Sequence, residues 1–198
     1  MPQVSRTADR ASDPPTFAQF KELFAQTEKG RITKGRLQEI LRGTSEIEDQ
    51  GWFRFTHYRK SLKEIRAENG DVFPSGNLWW EEQPFADESL FSPWDNLALR
   101  TSVVPGTANK PWEKQIEFLR DGEFVPKARQ VVDGLIAYYR RTGLRLFPNC
   151  WLLVFDVTTL NSYRIRVQFN DADGILVDYG STVTYRYSDL CIAVARQA

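Results

Sequence analysis

The sequence predicts an α+β protein in which a helical, loop-rich first part precedes a C-terminal antiparallel sheet. Three observations carry that reading. Apolar residues recur at helical spacing in short stretches up to residue 141. Prolines and glycines crowd the region from Asn69 to Pro111. From Trp151 onward the pattern changes to extended runs and period-two alternation, interrupted by turn residues.

Residues 1–15 are polar, with Pro2, Pro14 and Pro15, and are expected to form a disordered arm. Thr16 is an N-cap candidate, and Phe17, Phe20, Leu23 and Phe24 follow at helical spacing up to Gly30. A second helix from Thr33 carries Leu37, Ile40 and Leu41 and stops at Gly43. Residues 16–50 therefore read as a helical hairpin ending in a polar linker from Thr44 to Gly51. Packing on the main body is preferred over an independent partner-binding module. Residues 51–198 form the main domain. Trp52 to Phe55 alternates like a strand, and Tyr58 to Glu68 has helical character. Trp79, Trp80 and Trp94 anchor an irregular loop region rather than a repetitive sheet. A short helix is expected over 112–120. A better one runs from Pro126 to Arg141 with Gly143 as its stop.

The tail is read as strands at 151–157, 163–169 and 175–177, with Asn170–Gly174 as a hairpin turn and further strands at 183–187 and 190–195. Ile165, Val167, Ile175, Val177, Leu190, Ile192 and Val194 form the expected buried set.

Composition narrows the function classes. The 26 basic and 26 acidic residues cancel, which argues against binding nucleic acid or an anionic membrane through bulk charge. No apolar run is long enough to span a membrane, and the first residues lack the apolar core of a signal peptide, so a cytoplasmic location is expected. Cys150 and Cys191 form no zinc or redox motif. They read as two buried free thiols or as a clip between neighbouring strands.

Motifs for catalysis are missing: the chain has no G-x-G-x-x-G, Walker loop, G-x-S-x-G elbow or H-E-x-x-H. No cofactor and no metal are expected. His57, the single histidine, reads as a surface or cap residue. Glu81, Glu82, Asp87 and Glu88 read as solvated loop carboxylates. Asn170–Gly174 has Phe169 where an EF-hand loop needs its first oxygen ligand.

A compositional break is more informative. All 8 lysines and all 13 glutamates lie within residues 1–127, and residues 128–198 contain neither. Strands are depleted in both residues, but depletion is not absence. Between 152 and 196 there is also no Met and no Trp, and Gln168 is the only glutamine. Lys, Glu, Gln, Met and Trp are the amino acids that no codon ending in a pyrimidine encodes. Randomised asparagine codons of the form adenine–adenine–pyrimidine leave this deficit. Strand composition and chance are the competing explanation.

The stretch Arg145-Leu146-Phe147-Pro148-Asn149-Cys150-Trp151 is followed by Asp156-Val157, Arg164-Ile165-Arg166-Val167, Asp171-Ala172-Asp173-Gly174-Ile175, Asp189-Leu190 and Ala195-Arg196. This series resembles the C-terminal variable region of diversity-generating retroelement target proteins over about the last quarter of the chain. The resemblance implies a C-type-lectin-like fold whose ligand-binding face displays randomised side chains. Two departures stand out: Leu153-Val154-Phe155 replaces an Arg-Thr-Ser-type run, and Cys191 stands where a glycine often follows the leucine.

The predicted ligand-binding set is Phe155, Thr158, Thr159, Asn161, Ser162, Tyr163, Tyr179, Ser181, Thr182, Thr184, Tyr185, Tyr187 and Ser188. Tyrosines supply large contact area at low entropic cost, and Ser, Thr and Asn supply adaptable hydrogen bonds. An ordinary sheet with tyrosines packed at its edge is the competing reading. The expected function is therefore non-enzymatic display of these side chains to a target, foremost a protein. A small hydrolase or transferase using carboxylates of the Trp79–Asp95 region, and a phage-type structural or assembly protein, are the alternatives.

Overall fold

The structure is a computed structural model that describes residues 48–49, 51–57, 60–76, 78–88, 96–148, 150–159, 162–180 and 189–198. The predicted arm, and the hairpin except for residues 48–49, lie outside the described residues. The expected strand at 183–187 and the anchor Trp94 also lie outside them.

Helices and two sheets make up the described part, an α+β architecture. The first sheet contains β1 (Glu48–Asp49), β2 (Trp52–Thr56), β3 (Asn96–Arg100), β4 (Glu123–Phe124) and β9 (Ala195–Gln197), in the order β1-β2-β3-β9-β4. The second contains β5 (Trp151–Val157), β6 (Arg164–Asn170), β7 (Gly174–Gly180) and β8 (Leu190–Ile192), in the order β7-β6-β5-β8. The helices are α1 (Leu62–Glu68), α2 (Pro84–Asp87), α3 (Trp112–Ile116) and α4 (Ala128–Thr142).

Local chemistry explains the helix ends. Ser61 and Glu64 form a reciprocal capping box at α1: Glu64 N–H donates to Ser61 Oγ (3.2 Å), and Ser61 N–H donates to Glu64 Oε2 (2.7 Å). Gly143 takes φ 72°, and its N–H bonds Tyr139 O at 2.8 Å, ending α4. Lys127 is the N-cap of α4, so Pro126 precedes the helix instead of opening it.

The principal core lies between α4, α1 and the inner face of the second sheet. Val131, Val132, Leu135, Ile165, Val167 and Ile175 are all fully buried there. Each contributes roughly 1.5–3 kcal/mol relative to an exposed side chain. Trp80, at 1% exposure, fills the same core from a 3-10 turn over Trp79–Glu82. A second cluster joins Trp52, Ala98, Val104, Leu153, Leu190, Ile192 and Val194, so β5 is apolar on both faces over Leu152–Val154.

Several expectations are corrected. The loop region contains the strand β3, hydrogen-bonded on both sides by β2 and β9. Leu97, Ala98 and Leu99 are buried alike, so the strand shows no period-two alternation. The expected terminal strand at 190–195 divides: β8 runs parallel to β5, and β9 crosses to pair antiparallel with β3 and β4. The C-terminal sheet is therefore mixed, not wholly antiparallel. Part of the expected linker forms β1 on β2. His57 is 1% exposed, with its Nδ1 2.9 Å from Asp133 Oδ2 on α4, so it is a core residue and not a surface cap.

Candidate functional site

One end of the second sheet gathers the described members of the predicted set. At β5 the burial pattern changes after Val154: Phe155 and Val157 turn outward, while Asp156 turns inward. A register shift between Leu153 and Val157 releases this stretch from β6, and Phe155 N–H donates instead to Pro126 O at 2.9 Å. Asp156 Oδ2 accepts the Ala128 N–H at 2.5 Å, at the start of α4. Burial holds the Asp156 carboxyl above the usual aspartate range, against that hydrogen bond and the charge of Lys127.

The β5–β6 connection is pinned at its base. Thr158 N–H donates to Tyr163 O (2.8 Å), and Tyr163 N–H donates to Thr158 Oγ1 (3.1 Å). Thr158 is thereby buried and committed to the turn, which removes it from the displayed set. Thr159 and Ser162 are exposed, and Ser162 takes φ 52°. Thr159 Oγ1 donates to Gln83 Oε1 at 3.3 Å.

Tyr163 and Tyr179 stack with ring centroids 5.8 Å apart. Trp79 meets Tyr179 edge-on at 5.1 Å, and its indole N–H donates to Val177 O at 3.1 Å. Tyr179 remains 48% exposed, so this cluster is anchored beneath and open above. Phe155, 57% exposed, lies on the other face. Beside it Arg164 covers the Trp112 ring at 3.9 Å, lies 5.9 Å from the Phe155 ring and donates to Phe155 O at 2.5 Å. Arg166 covers Trp151 at 4.3 Å and pairs with Asp178 at 2.7 Å.

The structure thus brings together Phe155, Thr159, Ser162, Tyr163 and Tyr179 around one sheet end, distributed over its two faces. Asn161, Ser181, Thr182, Thr184, Tyr185, Tyr187 and Ser188 lie outside the described residues. Arg164, Trp112 and Val157 join the surface without having been predicted for it. The sequence signal for Arg164 was its alternation with Ile165 and Val167.

Three of the four loop carboxylates considered for the hydrolase alternative are held by different cations. Glu81 pairs with Arg66, Asp87 with Lys63 at 2.8 Å, and Glu88 with Lys127. The Asn170–Gly174 segment is a hairpin turn, closed by Asp173 N–H donating to Asn170 Oδ1 at 2.7 Å. A polar cleft of about 480 Å³ lies at that opposite sheet end, lined by Asp71, Arg145, Asp171 and Asp173 among others. Among the described residues no cluster of three or more His, Cys, Asp or Glu is arranged to hold a metal. No helix among them is long and apolar enough to cross a membrane.

Fold and site define an α+β protein whose mixed C-terminal sheet presents aromatic and small polar side chains at one end. Comparisons with family models, curated proteins and solved structures find no match for this chain.

Proposed function

We propose that this chain is a non-catalytic display protein of the diversity-generating retroelement type. Its C-type-lectin-like domain offers the Phe155–Tyr179 end of the second sheet to a macromolecular target, foremost a protein. The observation that carries this reading is the disappearance of Lys and Glu after residue 127, set against the exposure of the segment that lacks them. Strand burial alone does not account for it. Arg140, Arg141, Asp171, Asp173 and Asp189 are exposed within that segment, so charge is accepted there, as Arg and Asp but never as Lys or Glu. Those four residue types differ in whether a pyrimidine-ending codon can encode them, which Arg and Asp allow.

The exposed chemistry supports the same reading. Tyrosine, phenylalanine and arginine anchors beside Thr159 and Ser162 have the makeup of a binding surface. The test is the DNA sequence of the gene's 3′ end and its flanks. The reading expects a near-copy of the segment encoding residues 151–198, differing mainly where the copy has adenine, near a reverse-transcriptase gene. An isolated gene with no such repeat would overturn it.

A further inference from the structure

The sequence holds two cysteines, and the fold brings them together. Parallel pairing of β5 with β8 sets Trp151 opposite Leu190 and Leu152 opposite Cys191, so Cys150 enters β5 beside the start of β8. Both are free thiols, Cys150 half-buried and Cys191 buried. The Cys150 thiol donates to Trp151 O at 3.6 Å, and the neighbouring thiols of Cys150 and Cys191 bias each other's ionisation. The Cys150 N–H is fixed on Phe147 O at 3.0 Å.

We propose that Cys150 and Cys191 are a modification site, a thiol pair that hydrogen peroxide closes into a disulfide. The pair brackets Trp151 to Leu190, so the bond would staple both ends of the display segment at its base. This inference stands on the two thiols and their strands and does not depend on the function proposed above.

The two sulfurs are unequal. The neighbouring Cys150 thiol, working against burial, draws the Cys191 thiol down, which makes it the readier nucleophile. The nearby Cys191, together with burial, pushes the Cys150 thiol up. In the first step the Cys191 thiolate attacks one peroxide oxygen and the O–O bond breaks. Hydroxide leaves and takes a proton to become water, and Cys191 becomes a sulfenic acid. In the second step the Cys150 sulfur attacks Cys191 Sγ and the S–O bond breaks. A second water departs with the Cys150 proton. Two thiols are oxidised and one peroxide is reduced to two waters.

The experiment treats the folded full-length chain with stoichiometric hydrogen peroxide and reads intact mass, peptide map and non-reducing electrophoresis. The expected result is a monomer that has lost two hydrogens, with the Cys150 and Cys191 peptides joined until dithiothreitol is added. Thermal unfolding of that product should shift upward by on the order of 5 °C relative to the reduced chain, as expected for closing a loop of this length. In Cys150→Ser, Cys191 should gain oxygen instead of forming a link. Wild-type protein that stays reduced, accumulates oxygen on both cysteines, or links between chains would overturn the proposal. The wild-type result decides the matter even if the serine variant does not fold.

Discussion

The two ends of the second sheet are built on opposite principles. At the β6–β7 turn the chain leaves no freedom. Gly174 has φ 79°, and a Cβ there would lie 2.3 Å from Val72 O. Arg145 sits 5.0 Å from the Tyr139 ring and 4.9 Å from the Phe169 ring, and pairs with Asp171. At the other end Phe155, Val157 and Tyr179 are the exposed apolar side chains among the described residues, and the hydrogen bonds that shape the turn run largely through the backbone of Thr158 and Tyr163. One end is specified by side chains that fit only one way. The other is specified by backbone and by anchors beneath it.

Substitutions should expose that contrast, beginning with the locked end. Gly174→Ala combines a left-handed backbone with a collision against main chain and should cost about 3 kcal/mol in urea unfolding. Arg145→Ala removes two ring contacts and a largely buried stem and should cost about 2 kcal/mol in the same measurement. A loss below about 0.5 kcal/mol at either position would erase the distinction between the ends.

Asp156 joins the open end to α4, and its effect depends on pH. Burial raises its native pKa above that of an aspartate in the unfolded chain, so the native state holds this proton more tightly. Its contribution to stability is therefore greatest below the unfolded-chain pKa and declines as pH rises towards the native pKa. Asp156→Asn keeps an oxygen for the Ala128 N–H without carrying charge. The stability of Asp156→Asn relative to wild type should rise through that window. A difference independent of pH would show that burial does not govern this carboxyl.

Much of this frame was legible in the sequence because it follows from local chemistry. The α4 stripe with Gly143 behind it, and the alternation of Ile165 and Val167, required only helix and strand periodicity. The buried set from Ile165 to Val194 is found inside the two cores. Strand β3 was hidden because neighbours on both sides make Leu97, Ala98 and Leu99 equally buried. The division of 190–195 into β8 and β9 was hidden because a straight run of apolar residues does not reveal a change of sheet. His57 was misplaced because its partner, Asp133, lies on a distant helix. At the candidate site, Tyr163 and Tyr179 could be named from composition. The loss of Thr158 to the turn could not, since it depends on hydrogen bonds to Tyr163.

The most direct physical test of the display account combines Phe155→Ser, Thr159→Asn, Ser162→Asn and Tyr179→Ser in one chain and measures its thermal unfolding beside Ile165→Ala. Tyr179's two ring contacts should cost about 1–2 kcal/mol when lost, less than emptying the site of Ile165, which is fully buried in the central core. The account predicts a cooperative transition within about 5 °C of wild type for the four-site variant, and a drop of about 10 °C for Ile165→Ala. A four-site variant that loses as much as Ile165→Ala would show that these side chains hold the fold together, contradicting their role as a replaceable binding surface.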